Sequence, residues 1–262
     1  MQKLNYIDNG NAFDWGKTSE DYQLYRPGYP KIFYEILYKL GIGLKNQKIL
    51  DLGTGTGELA IQFAKQGSRV TANDISEEQI NEAKENAKKH NLSIEFNISP
   101  AEDFTSNNSF DVISASMCWL YFDKKKIIPV LKKILTENGL LLISSMIWLP
   151  NEDNVAKRTE ELILKHNPKW KGAGFTDKID PIPEWSKSDF YLKSFHKYKM
   201  EIPFTHESWR GRIRACRGIG ASLPKEEIIK FDNELSDLLK KIIPEKFNIL
   251  HLIIISIFEL KK

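Results

Sequence analysis

Residues 48–58 read Lys48-Ile49-Leu50-Asp51-Leu52-Gly53-Thr54-Gly55-Thr56-Gly57-Glu58, and Leu59-Ala60-Ile61-Gln62-Phe63-Ala64-Lys65 follows with helical spacing. An apolar run that passes through an acid, turns through three alternating glycines and enters a helix predicts a strand, a tight turn and a helix in that order. Glycine lets the backbone turn sharply and lets a ligand lie against the main chain. The helix behind the turn aims free N–H groups and a partial positive charge at it. Such a turn suits a nucleoside-like cofactor. The dinucleotide fingerprint needs its third glycine one position later, where Glu58 stands, so the spacing leans away from NAD.

Downstream, Arg69-Val70-Thr71-Ala72-Asn73-Asp74-Ile75 predicts a short strand ending in an acid, and Ser76-Glu77-Glu78 opens a helix beyond it. Asp74 follows Gly53 by about twenty residues, the separation at which a second-strand carboxylate accepts from both hydroxyls of a ribose. These features together resemble the class I S-adenosylmethionine-dependent methyltransferases, whose first strand runs into a D-x-G-x-G-x-G turn and whose second ends in an acid. Asp51, Gly53, Gly55, Gly57 and Asp74 all match. The resemblance implies S-adenosylmethionine as cofactor and S-adenosylhomocysteine as product. It also places Thr54, Asn73 and Ile75 beside the cofactor.

The rest of the chain extends the same pattern. From residue 30 to 147 helical and extended stretches alternate, with strands expected near 47–52, 69–74, 92–98, 110–115 and 139–147 and helices near 30–40, 57–66, 76–90 and 123–136. The stretch 148–185 carries Pro150, Pro168, Gly172, Gly174, Pro181 and Pro183, which predicts an irregular lid or connection with one helix near 152–166. Extended residues near 191–203, helices near 206–217 and 225–241 and a β-branched run at 249–258 complete it. The expected fold is α/β: a Rossmann-like, doubly wound, seven-stranded and mainly parallel sheet with the last strand antiparallel, plus helical cap insertions. The expected organisation is an N-terminal flap over the cofactor at 1–29, a cofactor-binding core at 30–147, the lid at 148–185, and core strands with a helical cap at 186–262, the cap spanning about 204–245.

Several segments match a small-molecule subgroup of the family, similar to the type 11 methyltransferases. After the third strand, Ile98-Ser99-Pro100-Ala101-Glu102-Asp103 puts Ala101 and Glu102 on the adenine side by that resemblance, although a turn with a helix cap reads the same way. The fourth strand ends in Ser116-Met117 at the cofactor edge and continues through Cys118-Trp119-Leu120-Tyr121. The subgroup carries histidine and tryptophan where Leu120 and Tyr121 stand, so no catalytic base is assigned at 120. Trp119, Tyr121 and Trp148 are candidates for the acceptor wall, because an aromatic face stabilises a sulfonium and excludes water; packing alone also explains aromatic residues. Upstream, Phe13–Pro30 resembles the amino-terminal flap of the same family, which makes Arg26 of the Arg-Pro pair the candidate partner of the cofactor carboxylate, with Tyr22 and Tyr25 as weaker choices; a packing arm with a surface arginine reads the same way.

Phe204–Leu223 is the other distinctive stretch. On a helix Arg210, Arg214 and Arg217 fall on one face, with Arg212 turned away. Either acids elsewhere neutralise that face or it receives an anion, and Arg210 and Arg214 are the substrate candidates. The resemblance also covers Leu164–Trp170 and Pro183–Trp185, and it departs at His251, which the subgroup follows with arginine rather than leucine. His166, in the lid, is a candidate proton acceptor or a helix-end residue that compensates the dipole.

Composition narrows the class. The chain has 262 residues, 41% of them hydrophobic, with a formal net charge of +3 and acids and bases intermixed, so no polyanion-binding field is expected and nucleic acid is not favoured. Two cysteines and five scattered histidines show no metal spacing, and no metal is expected. With neither a signal-peptide core nor a membrane-length apolar run, a cytoplasmic monomer or homodimer with no membrane partner is expected. The activity implied is in-line transfer of a methyl group to a small polar or anionic acceptor. Methylation of RNA or protein, or cofactor binding without transfer, are the alternatives.

Overall fold

The computed structural model describes residues 2–261. Helix α1 (Ser19–Tyr25) and α2 (Lys31–Lys39) precede β1 (Lys48–Leu52), α3 (Glu58–Lys65), β2 (Arg69–Asp74), α4 (Glu77–Lys89), β3 (Glu95–Ile98), β4 (Phe110–Ser116), α5 (Lys124–Ile134) and β5 (Leu135–Trp148). Then come α6 (Asn154–His166), β6 (Phe190–Thr205), α7 (His206–Arg214), α8 (Lys225–Ile242) and β7 (Lys246–Leu260). The seven strands form one sheet in the order β3-β2-β1-β4-β5-β7-β6, mainly parallel with β7 antiparallel, which is the Rossmann-like fold expected. The order reverses between β1 and β4, and ligands of open α/β sheets gather at the carboxyl end beside such a switch point.

Local chemistry accounts for most boundaries. Ser76 caps α4 by accepting from the Gln79 N–H at 3.3 Å, and Asp123 caps α5 through Lys125 N at 2.9 Å. The third strand begins at Glu95 rather than 92, because α4 closes through a turn in which Leu92 N bonds to the Ala87 carbonyl at 3.0 Å and Asn91 takes φ 54°. The arginine helix stops at Arg214 rather than 217, where the chain folds back and Gly220 N reaches the Arg214 carbonyl at 3.1 Å.

The chain divides into two compact units. One comprises Gly28–Ser145, Asp180–Lys197 and the residues from Ile254 on; the other comprises the residues up to Pro27, Met146–Ile179 and Tyr198–Ile253. We call them the core unit and the helical unit. In the core unit, Leu50, Leu52, Ile113, Ala115, Ile127, Leu131 and Leu141 pack with Phe190 and Phe258 into one buried cluster. Each fully buried aliphatic side chain of this kind contributes about 1.5–3 kcal/mol. In the helical unit, α1 packs on α7, and α6 and α7 pack on α8. Among the described residues no helix is long and apolar enough to cross a membrane, and no cluster of metal-ligating side chains occurs.

Candidate functional site

Parallel pairing of β1 with β2 and β4 brings Leu52 opposite Asn73 and Ala115, so the turns after these strands share one edge of the core unit. Gly53, Gly55 and Gly57 have φ of 63°, 57° and 84°, a left-handed conformation that side-chain-bearing residues avoid. At Gly57 a Cβ would also lie 3.1 Å from the Ala83 Cβ, so glycine lets α3 and α4 approach. Gly53 is required a second way: a Cβ there would lie 2.7 Å from Cys118 Sγ, whose thiol donates to the Leu52 carbonyl at 3.0 Å. Burial, then the nearby Asp51 and Asp74, push the Cys118 thiol well above its usual range, so it stays protonated.

Two carboxylates organise the turn. Asp51, fully buried, accepts from Thr54 Oγ1 and Ser114 Oγ at 2.7 Å each. Burial pushes its pKa up to about 6 against those hydrogen bonds. Asp74 accepts from Gly55 N and Ser76 N at 2.9 Å each, and burial raises its pKa too. It thus ties the middle glycine of the first turn to the end of β2. No Lys, Arg or His pairs with either acid among the described residues. An edge built this way repels phosphate and favours a ligand that brings positive charge and hydroxyl donors. A sulfonium, an ammonium and a ribose diol fit it; a pyrophosphate does not.

The neighbouring candidates divide into those at the edge and those used for packing. Asn73 is buried and its side-chain amide donates to Ser99 Oγ at 2.8 Å, tying β2 to the turn after β3, while its backbone carbonyl accepts from Thr54 N at 3.0 Å. Ile75 is exposed beside it. Ala101 is buried, and Glu102 Oε1 accepts from Asp123 N at 2.7 Å, which pins the start of α5. Ser116 Oγ lies 2.8 Å from Tyr29 Oη. Met117 takes φ 61°, a strained conformation for an unbranched but bulky residue, and its N–H donates to the Ser144 carbonyl at 2.9 Å. Trp119 belongs to the buried cluster against Trp185, 4.7 Å between ring centres, and its indole N–H finds no acceptor among the described residues. Lys124 Nζ lies 5.0 Å from the Trp119 ring centre, and desolvation lowers its pKa to about 8. Tyr121 sits half-buried in the short turn after it.

In the helical unit the arginine question is answered by neighbours. Arg210 pairs with Asp232 and with Glu207 at 3.2 Å; Arg214 pairs with Asp21 at 2.8 Å and Asp232 at 2.9 Å; Arg217 pairs with Asp8 at 2.9 Å. Acids from ahead of α1, from α1, from α8 and from α7 itself thus neutralise the face that the sequence left open either to acids or to an anion. Arg212, set aside by the helical wheel, is the buried exception, its guanidinium 5.0 Å above the Trp148 ring. Trp148 itself donates to Glu160 Oε1 at 2.7 Å. Arg26 stacks on Tyr22 at 4.6 Å, and the Tyr25 ring packs against Gly211. His166 Nδ1 lies 2.7 Å from Glu227 Oε1, its ring edge-on to Phe231, so it joins α6 to α8.

Sequence reasoning missed Tyr29, Ser114 and Arg212. Tyr29 carried only the weak signal of an aromatic in a Pro-Gly-rich stretch. Ser114 carried a faint one, a hydroxyl in an otherwise apolar strand.

Comparison with known proteins agrees with the fold. The family described as "Methyltransferase domain" matches residues 44–194. A ubiquinone biosynthesis O-methyltransferase of Actinobacillus pleuropneumoniae serotype 5b is 33% identical over 187 residues, 68% of this chain and 79% of that protein. A ribosomal protein L11 methyltransferase of Aquifex aeolicus is 36% identical over 44% of this chain and 43% of its own length. Among solved structures, the YcgJ protein of Bacillus subtilis superposes with a TM-score of 0.54 at 18% identity, covering 87% of this chain and 98% of that one. From the glycine turn, the acid that holds it, the strand order and these matches, the chain belongs to the class I S-adenosylmethionine-dependent methyltransferases.

Proposed function

We propose that the protein transfers the methyl group of S-adenosylmethionine to a small polar or anionic molecule, with the cofactor held at the edge formed by Gly53–Gly57, Asp74 and Ser116–Met117. The observation that carries this reading is the link from Asp74 to Gly55 N at 2.9 Å, which fixes the turn while leaving lone pairs on the carboxylate for a ribose diol. Asp51 sets the negative potential that favours a sulfonium and an ammonium. Gly53 and Gly55 let the amino-acid tail lie on bare backbone, with Thr54 and Asn73 holding the turn. Ile75 offers an apolar surface beside the sugar, and Ala101 with Glu102 borders the adenine.

The cofactor supplies a methyl group already activated by positive sulfur. What is asked of the chain is alignment and exclusion of water, with a base needed only where the acceptor arrives protonated. The small-molecule reading is supported by the ubiquinone biosynthesis O-methyltransferase, of which this chain spans 79%.

Asp74→Asn removes the charge shared by two hydroxyls and keeps an acceptor for only one of the two backbone N–H groups, which bond to different carboxylate oxygens, so Tm of the same variant is measured beside affinity to separate the ribose role from a structural one. Affinity for S-adenosylmethionine by calorimetric titration is expected to fall about 10- to 100-fold, at about 1.5–3 kcal/mol per charged hydrogen bond weakened. An unchanged affinity in a folded variant would remove Asp74 from the cofactor site.

A further inference from the structure

The helical unit contains a guanidinium with no counter-ion. Arg212 is 6% exposed, yet its side chain makes no ion pair or hydrogen bond with any described residue, in contrast to Arg210, Arg214 and Arg217 around it. One face of the guanidinium is covered by the Trp148 ring at 5.0 Å. Trp148 is held in turn by its bond to Glu160 and by Trp209 edge-on at 5.6 Å.

The surroundings make the charge less comfortable still. Burial, and then the charge of Arg26, lower the Arg212 pKa below the usual guanidinium range while leaving the group charged at neutral pH. Both arginines also act on His251, which is 1% exposed; burial chiefly, and then their charges, hold its pKa down to about 4, so it adds no proton and no counter-charge. Among the described residues Arg26 has no acid partner either, and its guanidinium lies over the Tyr22 ring. The charge of Arg26 thus acts on a largely desolvated Arg212, and no carboxylate is among the groups that shift Arg212 or His251. A protein leaves a buried charge unpaired only at a cost in stability, and an arginine cannot relieve it by losing its proton.

We propose that Arg212, buried over the Trp148 ring, is a carboxylate-binding site for a small acid. The inference rests on the methyltransferase reading above only for the class of molecule: a small acid falls within the polar or anionic acceptors proposed there. The charge balance favours this over the cofactor's tail, whose ammonium would add a third positive charge; two guanidinium groups suit a ligand of net negative charge. Guanidinium geometry suits a carboxylate in particular, because its N–H fork meets two oxygens at once while the stacked ring fixes its plane.

The probes are acetate, succinate and benzoate, each against its uncharged amide, titrated into the full-length protein with and without saturating S-adenosylhomocysteine. At least one carboxylate is expected to bind while its amide does not. Arg212→Met, which keeps the bulk over Trp148, is expected to weaken that binding at least about tenfold, Arg212→Lys to retain part of it, and both to leave S-adenosylhomocysteine affinity within about twofold. Removing an unpaired buried charge should leave Tm unchanged or raise it, whereas a merely structural arginine would lower Tm and leave carboxylate binding intact. The proposal is overturned if no carboxylate binds in preference to its amide, if Arg212→Met binds it as well as the parent, or if the variant loses the cofactor product instead. The cofactor titration reports independently on the methyltransferase reading: failure there with carboxylate binding intact removes the reading and spares the site.

Discussion

At the scale of single residues, the glycine turn is governed by acids as much as by glycines. Asp51 has an ordinary hydrogen-bonding role and an unusual charge, since burial lifts its pKa from 3.8 to about 6. A carboxyl whose folded pKa lies above its unfolded value stabilises the fold when protonated. That contribution is complete below about pH 3.8 and is lost as pH rises through about 6. The parent protein should therefore lose about 2–3 kcal/mol relative to Asp51→Asn as pH is raised across this window, at about 1.4 kcal/mol per pKa unit. Urea midpoints of both proteins at several pH values measure it, and parallel pH profiles would show that Asp51 is not strained by its burial. Cofactor affinity should move the opposite way, rising with pH as Asp51 ionises. None of this is visible in the sequence, where Asp51 is one letter of a motif; its charge state depends on Thr54, on Ser114 from another strand and on the exclusion of water.

Among elements, the alternation of helix and strand was legible because its signals are local: Ser76 and Asp123 as caps, glycine after β1, apolar runs for the buried strands. What was not legible is how faces are matched. The sequence leaves Arg210 and Arg214 either to acids elsewhere or to an anion, and the structure supplies the acids, Asp232 from α8 and Asp21 from α1. Close approach of α1 to α7 explains this, and a glycine makes it feasible: a Cβ on Gly211 would lie 2.1 Å from the Tyr25 ring. Gly211→Ala favours the isolated helix by up to about 1 kcal/mol, yet it must displace Tyr25 and with it the Asp21 pair. A net destabilisation of about 1–3 kcal/mol is expected in thermal unfolding, reduced in a Tyr25→Ala background where the ring is gone. A stabilised Gly211→Ala would mean that α1 does not dock on that face.

For the molecule as a whole, sequence order and spatial grouping diverge. The break in the helix–strand pattern after residue 147 is plain in the sequence, whereas the two compact units divide inside β5, β6 and β7, strands of 14, 16 and 15 residues. The sequence predicts shorter strands at 139–147, 191–203 and 249–258, and their division is not readable from it either, since it depends on which segments pack around each half. Binding should appear at this scale as linkage. A ligand that binds only the folded protein stabilises it by about 2.7 kcal/mol at a hundredfold excess over its Kd. S-adenosylhomocysteine at that excess is expected to raise Tm by a few degrees, and to lose most of the shift in Asp74→Asn at the same concentration. A variant that keeps the full shift would place the product elsewhere.

By itself the sequence determined the family, the order of strands and helices and the glycine turn with its two acids, because each of these is written in residues close together along the chain. Only the tertiary structure decided which charges are spent and which are free. Pairing acts through space between residues as far apart as Asp21 and Arg214, so no reading along the chain can tell that Arg210, Arg214 and Arg217 are satisfied while Arg212 is not. Electrostatic energy depends on distance and on the water that folding removes, and both are set only when separate segments come together.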